Sequence, residues 1–185
     1  MTIKTNTKDI AFLRGINVGG KNIIKMVDLK GAFERCGMEN VSTFIQSGNV
    51  IFETEKKSIH EIVAVLEETL SKSFNYQSRI VVLSQSQLKR VVAESPLLWE
   101  KNVDARCYIA FVKEPFTPQD ILKEITLKEG VDSVEIGKGV LYMTTLFSGI
   151  TKSGFSKLIG TSVYKQITIR NYNTARKILA RMEIG

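Results

Sequence analysis

A chain of 185 residues with 43% hydrophobic and 24% charged residues has an ordinary globular composition, enough for one large core or two small ones. No apolar run approaches the roughly 20 residues that span a bilayer, so a spanning segment is excluded and no membrane partner is expected. The formal net charge is +7 and it is concentrated: from Ser148 onward Lys152, Lys157, Lys165, Arg170, Arg176, Lys177 and Arg181 face Glu183 alone.

In chain order, the polar start Met1–Lys8 carries no secretory pattern. Asp9–Arg14 reads as a short apolar strand that ends at Gly15. After a glycine-rich loop, Met26, Leu29, Phe33 and Cys36 recur at helical spacing, and Gly37 is placed to end that helix. Val41–Gln46 and Asn49–Glu53 read as two strands joined at Ser47-Gly48. Ser58 and Glu61 have capping-box spacing ahead of a helix with Ile59, Ile62, Val63, Leu66, Leu70 and Phe74 on one stripe. Arg79–Leu83 is the fourth strand, and Ser84–Ser95 a trailing helix stopped by Pro96.

The order repeats. Cys107–Val112 is a strand, and Thr117-Pro118-Gln119-Asp120 starts a helix with an N-cap, a proline and an acid in the first turn. Ser133–Ile136 and Val140–Phe147 make a hairpin across Gly137–Gly139. A short helix around Ser156–Ile159, a strand at Gln166–Ile169 and a helix at Asn173–Met182 complete the unit. The expected fold is therefore α+β: two tandem ferredoxin-like βαββαβ units with antiparallel sheets, each followed by an extra helix. Residues 1–96 form the first unit and 97–185 the second, packed together across a junction near Pro96–Asp104. Both faces of Asp9–Arg14 are apolar, so the sheet's second face must be covered, with the other half as the expected cover.

Three stretches carry a family resemblance. Phe12-Leu-Arg-Gly-Ile-Asn-Val-Gly-Gly20, Val41-Ser-Thr-Phe-Ile-Gln-Ser-Gly-Asn-Val-Ile-Phe52 and Thr168-Ile-Arg-Asn-Tyr-Asn-Thr174 resemble the bacterial domain-of-unknown-function family 1697 along essentially the whole chain. Where that family commonly has Trp in the last motif, this chain has Tyr172. The resemblance implies a duplicated ferredoxin-like fold and no activity, cofactor or partner.

Gly15-Ile-Asn-Val-Gly-Gly-Lys21 satisfies the G-x-x-x-x-G-K spacing of a phosphate-binding loop. Asn22 lacks the hydroxyl that would hold magnesium, the helix starts late, and the split antiparallel order is not that of nucleotide triphosphatases. What stays is a loop whose glycines admit close approach, with Arg14, Asn17 and Lys21 as donors. Its bland alternative is a tight connection in which Asn17 bonds backbone. Arg170-Asn-Tyr-Asn173 has a similar place at a strand end. The ligand-site expectation is thus Arg14, Gly15, Asn17, Gly19, Gly20, Lys21, Gln46, Ser47, Asn49, Arg170, Asn171 and Asn173, converging on one cleft between the halves that takes a small anionic or polar ligand. Asn173 or Thr174 is also explained as an N-cap.

Catalytic patterns are absent from the reading, which leans against an enzyme: His60, the sole histidine, falls on a solvated helix start, and no metal set or cofactor is expected. Cys36 and Cys107 read as structural thiols, placing the chain in a reducing cytoplasm. One alternative is single-stranded nucleic acid bound by Lys165, Arg176, Lys177 and Arg181 with Tyr164 and Tyr172 interleaved. Another is a structural or protein-interaction role without a ligand. Sequence does not set the oligomeric state.

Overall fold

The computed structural model describes residues 8–55, 58–101 and 104–184. The polar start through Thr7 and positions 102–103 of the expected junction lie outside the described residues. The elements are β1 (Lys8–Leu13), α1 (Met26–Arg35), β2 (Glu39–Phe44), β3 (Asn49–Glu53), α2 (Ile59–Phe74), β4 (Ile80–Ser84) and α3 (Gln85–Ala93). A 3₁₀ turn (Leu97–Lys101), β5 (Ala105–Val112), α4 (Pro118–Lys123), β6 (Asp132–Gly137) and β7 (Val140–Leu146) follow. The chain ends with three more 3₁₀ turns (Phe147–Lys152, Gly154–Leu158, Val163–Gln166), β8 (Ile167–Asn171) and α5 (Tyr172–Glu183). Two antiparallel four-stranded sheets result, ordered β2-β3-β1-β4 and β6-β7-β5-β8. This is the α+β architecture of two similar units expected from the sequence.

The chain divides into two compact units. Unit 1 is Met1–Leu88 with Ile178–Gly185, and unit 2 is Lys89–Lys177. The division falls within α3 and within α5.

In unit 1, Ala11 and Leu13 of β1 pair with Val50, Val82 and Ile80 across the ladder. Their face packs with Leu29 and Phe33 of α1 and Ile62, Leu66 and Leu70 of α2. Phe33 and Phe52 meet at 5.6 Å between ring centroids. Ser58 Oγ accepts the Glu61 amide at 3.4 Å and so caps α2. The alternation of the strand sends Ile10 and Phe12 to the opposite face, where both are fully buried. On that face, the last turns of α5 lie against the sheet: Lys8 Nζ donates to the Met182 carbonyl at 3.1 Å, and the Arg181 guanidinium lies 6.0 Å from the Phe44 ring centroid.

Unit 2 is built on the same plan with fewer helical turns. Ala110, Val112, Leu141, Met143 and Ile121 make its core. Thr117 caps α4 with Pro118 in the first turn, as the sequence predicts, and Asp120 returns the bond to complete a reciprocal capping box. On the other face, Trp99 Nε1 donates to Thr144 Oγ1 at 2.8 Å, Tyr142 Oη donates to the Val91 carbonyl at 2.8 Å, and the Trp99 ring meets Tyr172 edge-on at 4.9 Å.

Four local expectations are corrected. The short helix around Ser156–Ile159 is a 3₁₀ turn, Gly154–Leu158, held by Asp132, whose Oδ2 accepts the Gly154 amide at 2.7 Å. A side chain at Gly154 would meet the Thr126 carbonyl at 2.0 Å, so only glycine fits at that position. β2 stops at Phe44 rather than Gln46, because Ile45 adopts φ 50° and reverses the chain. The β2–β3 connection therefore has four residues, with Phe44 opposite Asn49. α5 begins at Tyr172 instead of Asn173. Its cap is Asn171, whose Oδ1 accepts the Asn173 amide at 2.9 Å.

Candidate functional site

The glycine-rich stretch of unit 1 is a miniature hairpin. The Asn17 amide donates to the Asn22 carbonyl and the Lys21 amide to the Val18 carbonyl, each at 3.1 Å. Gly19 and Gly20 take φ 60° and 74° between them, the pair of positive values that a two-residue type I′ turn demands. A Cβ on either would meet nothing within 4 Å. These glycines thus serve the turn rather than a close approach. The loop also reaches α1 only through Lys25, which gives that helix no side-chain cap. A phosphate cradle opening directly into a helix is not what this stretch builds.

Asn17 ties the hairpin to its surroundings. Its Nδ2 donates to the carbonyls of Ile24 (3.0 Å) and Gln46 (2.9 Å), and its Oδ1 accepts the Ile24 amide at 2.8 Å. Both amide protons are spent on the scaffold. Asn49 is fully buried and likewise spends both, on the Phe44 carbonyl and Ser47 Oγ. Asn17 and Gln46 are therefore brought together, as are Ser47 and Asn49, while Gly15, Gly19, Gly20, Lys21 and Gln46 are exposed and Arg14 half-buried.

Arg170, Asn171 and Asn173 belong to unit 2. Arg170 is buried on β8, where Nη1 donates to Thr168 Oγ1 at 3.0 Å and the Ile169 carbonyl at 2.9 Å. Burial lowers its pKa to about 10, so it keeps its charge at neutral pH. Asn171 and Asn173 are exposed and joined in the α5 cap. Of the four basic residues in the nucleic-acid reading, Lys165, Arg176, Lys177 and Arg181 are all exposed. The interleaved Tyr172 is only 5% exposed and packs on Trp99, so it offers no face for base stacking. Arg176 instead covers that ring at 5.7 Å.

A cavity missed by sequence reasoning lies in unit 1, on the sheet face opposite α1 and α2. It measures about 360 Å³, with Ile51 and Ile184 as apolar lining and Lys8, Asn40, Ser42, Glu53 and Arg181 as polar lining. Register explains the grouping: Lys8 stands opposite Glu53, and Ser42 opposite Ile51. Asn40, at φ 49°, donates Nδ2 to Glu53 Oε2 at 3.0 Å, which fixes that carboxylate at the rim. Lys8 uses one of three donors on Met182, leaving two, and Phe44 holds Arg181 over the sheet. The alternation of β1–β3 was the available signal; the arrival of α5 was not legible.

Among the described residues no group of three His, Cys, Asp or Glu is arranged to hold a metal ion, and no helix is long and apolar enough to cross a membrane. Cys36 and Cys107 are free thiols, both half-buried, and burial pushes the Cys107 thiol up from its ordinary value.

Fold and cavity define a duplicated ferredoxin-like protein whose first unit carries a small cavity with cationic lining. The chain belongs to the family described as protein of unknown function DUF1697, whose model matches residues 7–142. It is similar to a conserved bacterial protein from Streptococcus pneumoniae, at 26% identity and a TM-score of 0.83, over 95% of this chain and 98% of that one. Comparison with curated proteins gives no match.

Proposed function

We propose that the protein binds a small anionic or polar molecule in the unit 1 cavity. The observation that carries this reading is the pairing of two cationic side chains, Lys8 and Arg181, with hydroxyl, amide and carboxylate neighbours over an apolar floor. Such a set orients a ligand by charge while the floor takes its carbon skeleton. Glu53 discriminates against dense negative charge and favours a ligand carrying one or two anionic groups beside a donor. The free thiols support a reducing cytoplasm as the working compartment.

Isothermal titration with inorganic phosphate, and with small mono- and dicarboxylates, tests the reading. Millimolar or tighter binding is expected for at least one, weakened about tenfold or more in Arg181→Ala, since a hydrogen bond to a charged group contributes roughly 1.5–3 kcal/mol. No heat with any of them at low ionic strength, or binding equal in Arg181→Ala and Lys8→Ala, removes the cavity as the site.

A further inference from the structure

The loop end of unit 1 exposes four aliphatic side chains: Val18 at 63%, Ile23 at 77%, Val27 at 72% and Ile45 at 52%. The Asn17 side chain ties the segments that carry three of them together. Asn17 bonds the carbonyls of Ile24 and Gln46, and Val18, Ile23 and Ile45 each adjoin one of those three bonded residues. Val27 follows in the first turn of α1. Isolated exposed aliphatics are common on proteins; four at one loop end are not.

Ile45 supplies the second observation. Among the described residues, five non-glycine positions take positive φ, and four are asparagine: Asn17, Asn22, Asn40 and Asn75. Asparagine tolerates this left-handed region, whereas a β-branched residue there is strained. Turn geometry alone therefore calls for Asn or Gly at position 45. The chain instead keeps an isoleucine whose side chain is half in solvent, so the fold bears strain to hold an apolar group where it packs on little. Strain of this kind marks a surface with a task.

The electrostatics narrow the occupant. Between Arg14 and Val27 the sequence contains Arg14, Lys21 and Lys25 and no acid, with Lys21 and Lys25 exposed; Asp28 is the nearest carboxylate in the chain. Lysine is depleted in protein–protein interface cores, which favour aromatic and Met anchors, and the four side chains here are Val and Ile. Aliphatic groups beside lysines suit an anionic bilayer surface, where apolar burial and attraction to phosphate headgroups add. We propose that this end of unit 1 is a peripheral membrane-docking surface, with Val18, Ile23, Val27 and Ile45 entering the headgroup–acyl boundary and Lys21 and Lys25 meeting lipid phosphates. The lack of a spanning segment speaks only against crossing the bilayer, not against lying on it.

The test is co-sedimentation of the full chain with vesicles of phosphatidylcholine containing about one-third phosphatidylglycerol, against phosphatidylcholine alone, at low and high salt. Binding is expected to the anionic vesicles and to weaken with salt. Ile23→Asp should abolish it, and Lys21→Gln or Lys25→Gln should weaken it about fivefold each. Ile45→Gly separates docking from folding: its melting temperature should rise while its vesicle binding falls severalfold. Arg176→Gln with Lys177→Gln should leave binding unchanged. Three results overturn the proposal: no binding to anionic vesicles at low salt, which leaves an acidic protein as the partner for this patch; binding intact in Ile23→Asp; or binding lost only with Arg176 and Lys177.

Discussion

At the residue scale, polar groups in unit 1 are sorted by whether their partners come with them. Asn17 and Asn49 find their partners within two adjoining loops, so burial costs them little. Asp9 does not. It lies on β1 opposite Phe52, on the face that packs against α1 and α2, is 7% exposed, and burial raises its pKa to about 6. Between about pH 4 and 6 the folded state thus holds a proton that the unfolded chain has released. Asp9 therefore favours folding fully below about pH 4, and this contribution is lost as pH rises through 6. Asp9→Asn should stabilise the protein at neutral pH by about 1–2 kcal/mol, two pKa units discounted for partial solvent screening. Urea midpoints across pH 4–8 check this. A variant that keeps the wild-type slope over that range contradicts it.

At the element scale, one carboxylate substitutes for a helix. Asp132, at the start of β6, accepts from Thr145 Oγ1 (3.0 Å), Ser153 Oγ (2.7 Å), the Gly154 amide (2.7 Å) and the Lys128 amide (3.0 Å). Desolvation opposes its charge, yet the bonds from Ser153, Gly154, Lys128 and Thr145 outweigh it and hold the pKa below the ordinary value. Its contribution is present above that ordinary value and lost as pH falls below it. Asp132→Ala should cost about 2–3 kcal/mol, the range for bonds to a charged acceptor, and should loosen Gly154–Leu158 and β6 before the rest of unit 2. Amide exchange at Gly154 and Lys128 reads the effect, and unchanged protection there would refute it. None of this was legible in the sequence. Asp132 has no helical or strand periodicity of its own, and its four donors come from three separate segments. Thr117-Pro118-Gln119-Asp120 was legible because its cap is complete within four residues. Ile45 was misread as strand because a β-branched residue is an argument for extended backbone, and nothing local signals that it is held at φ 50°.

At the scale of the whole molecule, the repeated strand–helix order sufficed for the fold, since each sheet follows from local periodicity and one hairpin. The candidate cavity was hidden because Arg181 and Lys8 stand at opposite ends of the chain. The expectation gathered Arg14, Asn17, Gln46, Ser47 and Asn49 with Arg170, Asn171 and Asn173 at one cleft; within unit 1, Asn17 bonds Gln46 and Asn49 bonds Ser47, and both asparagines spend their donors on the scaffold. Removing residues 178–185 should uncover the unit 1 sheet, taking away Ile178, Leu179 and Met182, which are 0%, 9% and 1% exposed. At about 1.5–3 kcal/mol per buried side chain, the loss rivals the 5–15 kcal/mol that holds a domain together. A chain ending at Lys177 should therefore expose β1 and β3 amides to exchange while unit 2 stays protected. Equal protection of both units would show that α5 is dispensable to unit 1.

The discontinuity of unit 1 has a consequence for how the protein is made. A ribosome delivers residues 8–88 first, then all of unit 2, and only afterwards the turns of α5 that lie on the first sheet. At about 5–20 residues per second, the face bearing Ile10 and Phe12 waits on the order of 5–20 seconds for its cover. The first-born unit is thus the last to be finished, and over that interval its sheet lacks the cover that the buried Ile178, Leu179 and Met182 supply.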